Sequence, residues 1–359
     1  MKFSTDTYFR GYEKIHTHRL MLQDIQRTQA YQNALEQNSN FLKDKLVLDI
    51  GAGTGILSIF AAKAGAKHVY AIEYSNTAQL ARKIIAENRL SDKITVIQKR
   101  VEDVELGKDL PERADAIVSE WMGFCLLYES MLDSVIDARD RLLKPDGLMF
   151  PERARLYIAG LDDKNYKENE DELWLNNIYD VKMESIQKEI LRYMFTGPFH
   201  PNHIVTTPCK ILDLNLKTCT VADLEFSSSY EVKTYKTEKL GYGSCDYHFL
   251  NAMVVWFDVQ FPLWIDTTDE RPSLDCEESR KQIVLSTSPY CKQTHWKQQG
   301  MYLSDPELLK VEQNSTIRGS FALRKNPSDE RDIQLKLSIH AEKIKDGASF
   351  SKEYFYIFT

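Results

Sequence analysis

Three glycines at alternate positions, Gly51, Gly53 and Gly55, follow a short apolar run and precede an amphipathic one. Glycines at that spacing let a ligand approach the backbone, and a loop that opens a helix offers its unpaired amides to negative charge. A structural tight turn or a dinucleotide site are the competing readings. The dinucleotide pattern is G-x-G-x-x-G, and its third glycine place is Ile56 here. Glu73 closes the next apolar run, 18 positions after Gly55, where a carboxylate can accept from both hydroxyls of a ribose. Asp49, just ahead of the loop, suits the ammonium end of a ligand. A second constellation lies in Ser119-Glu120-Trp121-Met122-Gly123-Phe124-Cys125-Leu126-Leu127-Tyr128-Glu129, with two carboxylates nine positions apart in apolar company. Such carboxylates are costly to bury unless they hold a cation. A solvated loop position for Glu129 is the alternative, and spacing alone leaves both open.

Short strands and helices must position these groups. Lys45–Ile50, His68–Glu73, Ile94–Ile97 and Ala114–Ser119 read as strands, with helical stretches at Ile56–Ala66 and Ala78–Asn88 between them. Such alternation predicts a parallel sheet with helices on both faces. Glu120 then falls where a strand leaves the sheet, on the ligand side of a doubly wound fold. After Phe150-Pro151 the period becomes two: Ile333–Ile339 and Leu212–Lys217 alternate strictly, and Met253–Phe261 is a denser apolar run. These predict a mostly antiparallel β-domain, a barrel or sandwich. An acidic stretch of helical texture, Lys164 to about His200, interrupts the β pattern like an insertion.

The chain has 359 residues, which favours two domains. Its apolar and charged fractions, 43% and 28%, are those of a soluble globular protein. No apolar stretch is long enough to span a bilayer, and the N-terminus has no signal-peptide core, so a cytosolic or nuclear address is expected, with no membrane partner. The six cysteines form no CxxC pair and read as reduced thiols; with the eight histidines they make no metal set, so no metal is expected. A net charge of −7 argues against nucleic acid and suits a basic partner.

The glycine loop, Asp49 and Glu73 together resemble a class I, Rossmann-like methyltransferase. The stretch SEWMGFCLLYESML resembles the double-glutamate loop of the protein arginine N-methyltransferases. Tyr8-Phe9-x-x-Tyr12 is similar to that family's YFxxY motif, Thr294-His295-Trp296 to its THW loop, and VLDIGAGTGILS to its glycine loop; Phe150-Pro151 falls where the family joins its domains. The resemblance runs essentially from Tyr8 to the C-terminus. It implies N-terminal cofactor-covering helices over 1–45, a Rossmann-like S-adenosylmethionine domain over 46–150, and a β-barrel-like substrate domain over 151–359. The inserted arm at about 164–200 would be a dimerisation device, with Trp174, Ile178 and Tyr179 as anchors of a head-to-tail homodimer.

Residue by residue, the resemblance implies that Glu120 and Glu129 clamp a substrate guanidinium, and that a His295–Asp24 pair takes up the proton. Arg27 would meet the cofactor carboxylate, Glu73 the ribose, and Val101 and Glu102 the adenine. Tyr8, Phe9 and Tyr12 would lie over the cofactor as a lid, with His18, Met21, Asp49, Gly51, Gly53 and Met131 completing its site. Tyr12, Met122 and Trp296 would join the glutamates and His295 around the substrate. Met21 and Met131 match the methionines of members that make asymmetric dimethylarginine. Arg19-Leu20 departs from the family's acidic pair, which leaves Met21 in register and alters the charge near the arginine entrance. S-adenosyl-L-methionine would be spent to S-adenosyl-L-homocysteine, on glycine-arginine-rich or histone-tail proteins. The alternatives are a methyltransferase for another acceptor, small molecule or RNA, and a non-catalytic partner that dimerises with another methyltransferase.

Overall fold

The computed structural model describes residues 11–163, 169, 172–174, 176, 178–235, 247–264, 281–304, 309–342 and 349–358. Tyr8 and Phe9, the arm residues 164–168, 170–171, 175 and 177, and Cys245 and Cys276 lie outside them. Cys125, Cys209, Cys219 and Cys291 are free thiols.

Two helices, α1 (Ile15–Gln23) and α2 (Ile25–Gln37), lead into a short α3 (Ser39–Leu42). Asp24 breaks the first two apart and caps the second, its carboxylate accepting from the Arg27 amide at 3.0 Å. On α2 the buried positions Arg27, Tyr31, Ala34 and Leu35 fall on one face at spacings of three and four.

The sheet that follows runs β3-β2-β1-β4-β5 and every pairing in it is parallel. Its strands are β1 (Leu46–Ile50), β2 (His68–Ile72), β3 (Ile94–Ile97), β4 (Ala114–Ser119) and β5 (Leu143–Phe150), joined by α4 (Ile56–Lys63), α5 (Thr77–Glu87) and α6 (Met131–Leu142). All five residues of β1 are buried, as a central strand covered on both faces requires. The strand order reverses direction between β1 and β4, and a doubly wound sheet binds ligands in the crevice at that point. The glycine loop leaves β1 there and Glu120 leaves β4.

The C-terminal half holds two larger sheets and a pair. One is ordered β7-β13-β11-β6-β8, with β12 also on β11; another is β17-β16-β15-β9; β10 pairs β14. Their spans are β6 (Arg153–Leu161), β7 (Phe195–Gly197), β8 (Cys209–Asn215), β9 (Phe226–Lys233), β10 (Tyr247–Leu250), β11 (Ala252–Gln260), β12 (Val284–Ser286), β13 (Gln298–Tyr302), β14 (Leu309–Glu312), β15 (Thr316–Asn326), β16 (Asp329–Ala341) and β17 (Phe350–Phe358). Strand β16 buries Ile333, Leu335, Leu337, Ile339 and Ala341, one face of a period-two pattern. Strand β11 buries six residues in a row because its faces enter different cores: Met253, Val255 and Phe257 join the main one, Ala252, Val254 and Trp256 a second.

Three sequence expectations shift. The strand expected through Lys217 ends at Asn215, and a register irregularity at Leu156/Tyr157 on its partner breaks the alternation, leaving Leu212 only half-buried. The helix expected to Ala66 ends at Lys63. The helical insertion expected to reach His200 ends with α7 (Glu184–Ile190); beyond it Phe195–Gly197 pairs with β13 and belongs to the β-domain.

Candidate active site

Gly51 has φ +71°, and a Cβ there would sit 2.3 Å from Cε of Met131 at the start of α6. Glycine serves both needs, a left-handed backbone and a close neighbour. Next to Gly53 lies the ring of His18, 3.3 Å from where a Cβ would be. That ring is fixed by the Tyr12 carbonyl at 2.6 Å and the Thr77 hydroxyl at 3.3 Å. Glu73 is buried at the end of β2 and accepts from the Gly53 amide at 2.9 Å and the Ser75 amide at 2.7 Å, one on each oxygen. Its second lone pairs remain the acceptors that a ribose would use. Val101 is buried in a single 3-10 turn, while exposed Glu102 accepts from Ser134 of α6 at 2.5 Å.

Asp49 and Arg27 carry the strongest signal for a bound group. Asp49 is fully buried; one oxygen accepts from Ser58 at 2.6 Å, and Oδ1 has no partner among the described residues. Burial pushes its carboxyl up to about 7, against the lowering effect of Ser58 and with Glu73 adding to the rise. Arg27 is also buried, and its Nη1 has no partner among the described residues. A buried carboxyl oxygen and a buried guanidinium nitrogen, each without a partner among the described residues, match the ammonium and carboxylate of an amino acid. The residues present therefore fit the methionine end of S-adenosylmethionine.

The other two nitrogens of Arg27 reach Glu120: Nε donates to Oε2 at 3.0 Å, and Nη2 to the same oxygen at 2.9 Å. Glu129 accepts from the Tyr12 hydroxyl at 2.6 Å. The loop between the glutamates is tightly wound. Gly123 donates to the Leu126 carbonyl, Tyr128 to that of Phe124, and Cys125, Leu126, Glu129 and Ser130 all have left-handed backbones. Tyr31 supports its base, donating to the Ser119 carbonyl at 2.9 Å and lying 3.7 Å from the Met122 sulfur.

His295 arrives from the β-domain. Its Nδ1 and backbone amide both bond Oδ2 of Asp24, at 2.7 and 2.8 Å. Burial pushes the Asp24 carboxyl up, but the bonds from His295 and Arg27 outweigh it and hold it below the usual range. With Nδ1 committed to a carboxylate, proton exchange falls to Nε2.

Met122 and Trp296, expected at the substrate, have buried side chains. The Trp296 indole donates to the Met122 carbonyl at 2.8 Å, so the pair shapes the loop from behind. Tyr12, expected over the cofactor, has its hydroxyl on Glu129. Met21 is half-buried on α1. Several supporting residues escaped the sequence reading. Tyr31 was findable, being one turn beyond Arg27 on the same helix face. Ser58, Thr77 and Ser134 carried no motif, and neither did Gln299, which is buried, accepts from the Cys125 amide at 2.8 Å and donates to the Trp296 carbonyl at 2.9 Å.

A parallel sheet with a glycine loop at its switch point, an acidic residue closing β2 and an amino-acid-shaped charge pair define a class I S-adenosylmethionine-dependent methyltransferase. Residues 47–147 match a methyltransferase domain model, and residues 152–343 match the arginine methyltransferase oligomerization subdomain. The chain is 39% identical to protein arginine N-methyltransferase 1 of Caenorhabditis elegans over 93% of its length and 88% of that protein's. It is 38% identical to the Schizosaccharomyces pombe protein of that name, over 93% and 89%. Among solved structures it is similar to a chain of the Trypanosoma brucei PRMT1 enzyme-prozyme heterotetrameric complex with AdoHcy (TM-score 0.84, 30% identity, covering 97% of this chain and 99% of that one). It also matches Arabidopsis thaliana protein arginine methyltransferase 10 (TM-score 0.81, 30% identity, covering 98% and 100%). The chain belongs to the protein arginine N-methyltransferase family, whose enzymes methylate arginine in proteins with S-adenosylmethionine, and it carries the family's oligomerisation subdomain.

Proposed function

We propose that this chain methylates the terminal guanidino nitrogens of arginine in glycine-arginine-rich or histone-tail proteins, making monomethylarginine and then asymmetric dimethylarginine. The observation that carries the reading is Glu120, whose carboxylate already binds one guanidinium, that of Arg27, through two of its nitrogens. A guanidinium is a poor nucleophile because its lone pairs are delocalised and it stays protonated far above neutral pH. Glu120 and Glu129 on one rigid loop bind its planar fork, draw positive charge toward the nitrogens they touch and leave another aligned for attack. S-adenosylmethionine, when bound, supplies an electrophilic sulfonium methyl. As the new N–C bond forms and the C–S bond breaks, the nitrogen must release a proton, and His295 Nε2, steadied by Asp24, is the acceptor. Met131 against the glycine loop and Met21 on α1 leave slim, flexible walls that let a monomethylated guanidinium turn back for a second transfer. Tandem mass spectra of a glycine-arginine peptide methylated by the purified chain test this. Neutral loss of dimethylamine supports it, and monomethylamine loss alone, or no turnover by the chain on its own, overturns it.

Asp49 gives cofactor binding a pH signature. Unfolded aspartate ionises near 3.8, so from there to about 7 the native chain keeps a proton that the unfolded chain releases, and this group's contribution to stability falls as pH rises. A bound ammonium at Oδ1 favours the ionised form. Cofactor affinity is therefore expected to rise by up to about tenfold per unit as pH climbs toward 7, with a proton released on binding. Calorimetry in buffers of different ionisation enthalpy reads that proton, and Asp49→Asn should abolish both effects.

The proposal includes a head-to-tail homodimer. The arm exposes Tyr179 (95%), Val181 and Ile186, and the α1–α2 corner exposes Ile15 (66%), Leu20 and Ile25 (61%). Two separate apolar patches on one chain can cover each other twice in a closed pair. Removing residues 167–183 should give a folded monomer, a cut that stops short of Tyr193, which bridges to Ile357. Sedimentation of the shortened protein checks it; a persistent dimer places the contact elsewhere. A cytosolic or nuclear address belongs to the same proposal, consistent with a cofactor made inside cells, and fractionation reads it.

A further inference from the structure

Glu129 and Ser130 have φ of +75° and +54°, two consecutive non-glycine residues in the left-handed region. Neither side chain relieves the crowding that this backbone imposes, so something outside the loop must hold it. The β-domain does so through the hairpin formed by the end of β15 and the start of β16. The Glu129 amide donates to the Arg331 carbonyl at 2.8 Å, and Arg331 Nη1 donates back to the Glu129 carbonyl at 2.7 Å. One residue on, the Ser130 hydroxyl donates to the Glu330 carbonyl at 2.5 Å, and Lys325 pairs with Asp133 in the first turn of α6. The Glu129 peptide is thus gripped on both its amide and its carbonyl by a single residue of the other domain. Its carboxylate end accepts from the Tyr12 hydroxyl.

We infer that Arg331 is a positioning residue for Glu129, so that the β-domain sets the reach of this carboxylate toward the substrate guanidinium. This rests on the proposed clamp. A charged donor on a carbonyl is a strong tether, and truncating it leaves the Glu129 carbonyl to relax toward the ordinary backbone region. The carboxylate would swing with it, while the glycine loop, Asp49 and Glu73 stay in place.

The full-length protein is compared with Arg331→Ala, Arg331→Lys, Glu129→Gln and the two Arg331 variants each combined with Glu129→Gln. The readouts are kcat and KM for a glycine-arginine peptide and the cofactor Kd. Arg331→Ala is expected to lose roughly 10- to 100-fold in kcat, as a small misplacement of a reacting group does. Cofactor Kd should stay unchanged, and Arg331→Lys should recover part of the loss. In the Glu129→Gln background the Arg331 changes should cost nothing further, because both act through one carboxylate. If Arg331→Ala does not fold, Arg331→Lys carries the same comparison. Normal kcat in the Arg331 variants beside a crippled Glu129→Gln overturns this inference alone, as do additive losses. Normal turnover in Glu129→Gln overturns the clamp and this inference with it.

Discussion

Glu129→Gln is expected to lower kcat for a glycine-arginine peptide by about 10²- to 10³-fold, the scale on which a single preorganised electrostatic contact acts in a transition state. The amide keeps the size of the carboxylate and can still accept from Tyr12, so packing and the Tyr12 bond are largely retained. What disappears is one negative charge beside a guanidinium that must give up electron density. Nothing in the cofactor crevice changes: Gly51, Asp49, Arg27 and Glu73 make no described bond to Glu129. Cofactor Kd should therefore move by less than about threefold, since the Tyr12 bond that links Glu129 to the cofactor loop is retained. Quenched-flow turnover and a cofactor titration on one preparation separate the two quantities. Wild-type turnover would remove the clamp, and a matching loss of cofactor affinity would place Glu129 in the cofactor site.

Gly123→Ala should be nearly as damaging without touching any charged group. A Cβ at Gly123 would meet the Tyr128 carbonyl oxygen at 2.0 Å and its carbon at 2.8 Å. Both are backbone atoms, fixed by the turn that closes at Gly123 and Leu126, so no side chain can step aside. The loop must open, carrying Glu129 away from Glu120. Displacements of this size cost on the order of 10²-fold in rate, and a comparable loss of kcat is expected with cofactor affinity retained. Thermal unfolding and circular dichroism establish that the variant is folded. A folded variant with normal kcat would show that the loop's tight winding is not what aligns the carboxylates. The pair of substitutions separates charge from geometry, since one removes the first and the other the second.

Much of the parallel sheet was legible because it is local. Leu46–Ile50 is apolar throughout since both its faces are covered, and the glycines after it announce a close approach that no other residue permits. The same holds for β16, whose strict alternation records one buried face. Glu120 and Glu129 were visible as chemistry, two carboxylates in apolar company, although their shared purpose came from resemblance to a family rather than from spacing. Strand β11 was harder, because two cores erase the alternation that a single core writes into a strand. Phe195–Gly197 reads as part of the helical insertion for a related reason: three residues are too few to show a period, and pairing with β13 decides their state.

Fold class, the glycine loop and the presence of two carboxylates in apolar company could be read from the chain alone, since each depends on residues close together in it. How those groups are held depends on contacts between distant parts of the chain. His295 meets Asp24 across 271 positions, Trp296 meets Met122 across 174, and Arg331 meets Glu129 across 202. Contacts of that range leave no periodicity behind, because an arginine that tethers a carbonyl looks the same in the sequence as one that faces water. They depend on segments that the fold brings together, where burial makes the energy of each unmet polar group large enough to select its partner.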